Sequence, residues 1–115
     1  MSEEKHIRIY PLRCGSIRVS PKMAYGGELG LRGAAEMALC PDRARVELPV
    51  FAFLIEHPRG RLLFDCGWCR EISPDGRYDV KAVRRVLPER LAALYHPTLL
   101  KGEAIDERLA ALGLR

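Results

Sequence analysis

The chain has 115 residues, 48% of them hydrophobic and 30% charged, with a formal charge of +4. That length fits one domain and is short for two. Ordinary apolar content speaks against disorder, and no run approaches the ~18 apolar residues that cross a bilayer, so no membrane association is expected. The start, with Glu3 and Glu4, lacks the basic and then apolar pattern of a secretory leader, so the expected compartment is the cytoplasm. There the four cysteines would stay reduced and form no disulfide framework. The 19 Lys+Arg lie scattered among 15 Asp+Glu without a dense basic stripe, so nucleic acid is not an expected partner.

Residues 6–19 alternate apolar and polar, the period of a half-buried strand, with Ile7, Ile9, Ile17 and Val19 expected to face a core. Pro11 and Gly15 point to an edge position or a bulge. Over 20–45 the pattern is broken by Pro21, Gly26, Gly27, Gly30, Gly33 and Pro41. An irregular loop is expected there, with one short helical turn around 34–39. Its glycines match neither a dinucleotide fingerprint nor a P-loop.

Residues 46–67 carry the clearest signal. Val50, Ala52 and Leu54 share one face of a strand, and Phe51, Phe53 and Ile55 share the other. His57-Pro58-Arg59-Gly60 then turns the chain into Leu62-Leu63-Phe64, a hairpin. A strand apolar on both faces needs cover on both sides, which predicts a layered α/β (α+β) sandwich. Asp79 is placed to cap a helix carrying Val80, Val83, Val86 and Leu87, and Pro88 ends it or starts another over 89–95. A last helix over 103–112 would present Ile105, Leu109 and Leu112, with Gly113 as its stop. Strand, loop, hairpin (46–67) and helices (79–112) make 1–115 read as a single partial domain, the opening of a larger fold.

The run LPVFAFLIEHPRGRLLFDCG over 48–67 resembles the opening hairpin of the metallo-β-lactamase fold, in which a strand ends in Asp-Thr-Gly or a close variant. Asp65 takes the place of that aspartate, and Cys66 stands where the family has threonine or serine. The Leu48-Pro49-Val50 start and the closing ERLAALGL of 107–114 look most like the N-acyl homoserine lactonase branch. The order of elements fits over 5–115, and 48–67 and 102–114 carry the likeness.

The resemblance implies the N-terminal portion of an αββα sandwich and a hydrolase that opens an ester or lactone with hydroxide bound to two divalent metals, usually zinc. The family's ligands lie on a His-x-His-x-Asp-His strand that would begin at Arg115, with a further histidine and aspartate later. The chain itself would therefore bind no metal and be inactive alone, as a truncated piece of the complete enzyme. Asp65, with Gly67 in the turn behind it, would orient metal ligands by hydrogen bonds. The alternative for Asp65 is a cap on the strand-to-loop turn. Met23, Tyr25 and Trp68 are candidates to line the pocket for a small ester or lactone.

The residues leave two other readings open. Cys66 and Cys69 form a CxxC after a strand, which could serve thiol redox chemistry or, with another pair, zinc. An open sheet edge could instead pair with another chain, giving an interaction protein or self-association. His6, His57 and His96 are too dispersed to form a zinc site.

Overall fold

The computed structural model describes residues 6–26 and 30–114 of a mixed α+β chain. Expectations that fall on 1–5, on Gly27 or on Arg115 lie outside the described residues. Strands β1 (Arg8–Val19), β2 (Val46–His57) and β3 (Gly60–Phe64) form an antiparallel sheet in the order β1-β2-β3. The β2–β3 hairpin closes through Pro58 and Arg59, with His57 opposite Gly60. Gly60 has φ +150°, which favours glycine.

β1 is longer and less regular than simple alternation implies. Its register against β2 slips between Arg13 and Ser16, a bulge that contains Cys14 and Gly15. A bulge exchanges the faces of the residues on either side of it. Ile9 pairs with Ile55 before the bulge, and Ile17 pairs with Leu48 after it. Ile7 and Ile9, expected in the core, are therefore exposed, while Leu12, Cys14 and Val19 are buried.

Much of the expected irregular loop is helical. α1 (Pro21–Tyr25) starts with Ser20 as its cap, whose side chain accepts from the Met23 amide, and with proline in the first turn. α2 (Leu31–Ala38) follows, longer than the single turn expected at 34–39, and a 3-10 turn spans Asp42–Ala44. Of the glycines read as helix breakers, Gly26 and Gly30 stand at boundaries with φ +92° and +139°, while Gly33 lies buried within α2.

After the hairpin come α3 (Val80–Val86), α4 (Glu89–Tyr95) and α5 (Ile105–Ala111). Asp79 caps α3, its side chain accepting from the amides of Lys81 and Ala82, and Pro88 separates α3 from α4. One core cluster joins Ile72, Val83, Ala92, Leu99 and Ala104. The other joins Leu12, Cys14, Ala52 and Leu54 of the sheet, with Ile105 and Leu109 of α5 and with Leu114. Helix α5 thus covers one face of β1 and β2, while β3 is exposed along its length.

The other face carries no such cover among the described residues: Ile9, Phe51, Leu62 and Phe64 are 60%, 41%, 60% and 62% exposed. The cover expected on both sides is therefore present on one. The chain is correspondingly extended, with a radius of gyration of 17.4 Å, against about 13 Å for a compact chain of some 100 residues.

Candidate functional site

The end of β3 runs into a turn built around Asp65. Its backbone adopts φ +67°, unusual for a residue with a side chain. Its Oδ1 compensates by accepting from the amides of Cys66 (2.6 Å) and Gly67 (3.0 Å). These two bonds, Gly67's first, hold the carboxyl below its ordinary range. The carboxylate is exposed at the surface.

Gly67 ties this turn to the bulge of β1. A Cβ there would collide with Cys14 Cβ and lie 2.5 Å from the Cys14 carbonyl oxygen, and φ is +66°. The next amide, from Trp68, donates to that same carbonyl at 3.2 Å. The approach is so close that only glycine fits. Trp68 packs against the cluster around Ile72 and Leu99, so its ring serves the core. Asp65, Gly67 and Trp68 are thus brought into one turn on the bulge.

Cys66 and Cys69 are both exposed free thiols. Partial burial and then the neighbouring Glu71 push the Cys69 thiol up, away from the thiolate. Only a three-residue 3-10 turn, Arg70–Ile72, follows, so no helix terminus stabilises a thiolate there. Burial also raises the Cys14 thiol beneath them.

Met23 is half-buried and Tyr25 exposed. The open groove of about 650 Å³ nearby is lined instead by residues of α1, α2 and the turn after them, among them Pro21, Ala35, Leu39 and Cys40. Lys22 and Glu36, joined by an ion pair, also line it.

Two arginines absent from the sequence expectations organise the surroundings. Arg45 is 7% exposed. Its guanidinium donates to the carbonyls of Cys40 (3.1 Å), Arg18 (2.9 Å), Leu94 (3.0 Å), Ala93 (2.8 Å) and Ala38 (3.2 Å). One side chain thereby satisfies terminal carbonyls of both α2 and α4. Arg70 donates to the carbonyls of Ser73, Leu99 and Leu100 and pairs with Glu107 of α5. Nothing in spacing marks either residue; the one available signal is that arginine alone can supply five donors in a fixed fork.

The histidines lie apart. His57 accepts the Arg59 amide at Nδ1 within the hairpin turn. His96 ends α4 with φ +39°, stacks on Tyr78, and sets Nδ1 3.6 Å from Asp42. Among the described residues no three His, Cys, Asp or Glu converge as a metal site requires. The donor set in hand does not fit the two zinc ions that the resemblance implies.

Compared with known proteins, the chain matches no family model, no curated protein and no solved structure.

Proposed function

We propose that the chain is the N-terminal part of a metal-dependent hydrolase of the metallo-β-lactamase fold, of the lactonase-like kind acting on a small ester or lactone, and that it is catalytically silent alone. The observation that carries this reading is the β2–β3 hairpin. It is apolar on both faces, with α5 packed on the β2 part of one and no cover on the other among the described residues, and it delivers Asp65 at its end. A bare apolar sheet face is where a second sheet stacks, about 10 Å away, in a layered sandwich. Asp65 then stands at the rim of that seam, its backbone bonds holding the carboxylate charged and in one orientation. Such a group positions neighbouring side chains and does not attack substrate. The ligands that grip metal belong to the second layer.

The test has two arms. The coding DNA beyond the Arg115 codon, read in all three frames, is expected to continue into a His-x-His-x-Asp-His strand. The chain rejoined to that segment is expected to bind about two zinc ions and open a lactone, while the present chain does neither. Downstream DNA that encodes no such strand in any frame overturns the reading.

A further inference from the structure

We propose that two copies of this chain pair face to face through the bare side of the sheet, forming a homodimer. Ile9 of β1, Phe51, Phe53 and Ile55 of β2, and Leu62 and Phe64 of β3 lie side by side on that face, in the register Ile9–Ile55–Leu62 and Phe53–Phe64. Phe51 and Phe53 stack at 6.4 Å between centroids, so the patch is continuous along β2.

The area suits a second copy. With an aromatic side chain worth some 200 Å² and an aliphatic one less, the exposed Ile9, Phe51, Leu62 and Phe64 with the half-buried Phe53 and Ile55 present about 500 Å² per copy, toward the upper end for a soluble monomer. Two copies would bury about 1,000 Å², the least a specific interface needs.

The formal charge of +4 opposes pairing of two copies, so the contact must rest on its apolar side chains. No charged side chain stands among these six residues. At the margin, Arg13 is neutralised by Glu47 at 3.2 Å. This is a surface on which identical chains meet without stranding a charge, and an isologous pairing covers both patches at once. The contact differs from pairing along a strand edge, since it uses side chains and leaves the backbone edges of β1 and β3 as they are.

The pairing starts from the same sheet face as the hydrolase reading and gives it a different occupant, a second copy of this chain.

Light scattering coupled to gel filtration, at 1–100 µM and 0.15 M salt, tests it. The chain is expected at twice its 13.0 kDa mass. Ile9→Lys with Phe64→Lys is expected to raise the dimer dissociation constant at least 100-fold, while Leu31→Lys with Leu39→Lys, at the two ends of α2, leaves it unchanged. A monomer across the range, a ladder of larger species, or a dimer indifferent to the sheet-face lysines overturns the proposal. Should those lysines abolish the folded circular-dichroism spectrum, Leu62→Ser with Phe64→Ser is read instead, and less than a tenfold weakening overturns it. A monomeric chain leaves the hydrolase reading standing, because that reading is tested on the downstream DNA.

Discussion

Arg45 shows how much one side chain can hold. Its fork terminates two helices that are far apart in sequence and anchors both to the end of β1. Replacing it by methionine keeps the apolar stem and strands several buried carbonyls. The expected cost is about 3 kcal/mol or more in urea unfolding. Arg45→Lys restores fewer donors and recovers only part of it, and a loss under about 1 kcal/mol for the methionine variant would contradict this role. His96, beside it, makes a pH prediction. Burial first, and then the Arg45 charge, lower its pKa from 6.5, outweighing Asp42. The unfolded chain therefore binds this proton at higher pH than the folded one does. Its contribution to stability is full above about pH 6.5, falls as pH drops toward the folded pKa, and is level below it. His96→Gln is expected to flatten that segment of the stability profile relative to the parent chain; an unchanged slope would refute the assignment. Arg45 was not legible beforehand, whereas His96 was readable as a helix-end residue before a proline. A buried arginine is rare, and its environment here is assembled from residues 18, 38, 40 and 93–94.

At the scale of elements, local chemistry was readable where it is local. Asp79 was identified as a helix cap and makes both bonds expected of one. Asp79→Ala should cost about 1 kcal/mol in thermal or urea unfolding, with Asp79→Ser recovering most of it. The hairpin turn, the break at Pro88 and the stop at Gly113 were equally legible, because glycine and proline restrict the backbone by themselves. The face assignment of β1 was not. One inserted residue exchanges inside and outside, and the bulge is where Gly67 and Trp68, some 50 residues away, dock on the Cys14 backbone. The helices of 20–45 were missed for the opposite reason. Their glycines looked like breakers but stand mostly at helix ends, where positive φ is useful.

Across the whole molecule the dominant feature is imbalance. One side of β1 and β2 packs under α5, and the other side of the sheet presents a patch of aromatic and branched side chains. If two copies share that patch, folding and association are linked, and the melting temperature should rise with protein concentration. A ten-fold dilution that leaves the midpoint unmoved would mean the face contributes nothing to stability. The proposed hydrolase function and the proposed pairing both start from this imbalance.

The alternation of apolar residues along 46–64, the two-residue turn and the caps were determined by the sequence alone, since each depends on covalent geometry and on neighbours within a few positions. Those residues led to the expectation of two covers, of which one is present among the described residues. Which face α5 takes, where β1 reverses its sides and how Arg45 and Arg70 are buried were decided only in three dimensions. They depend on contacts between segments far apart in the chain, whose energies no short stretch of sequence contains.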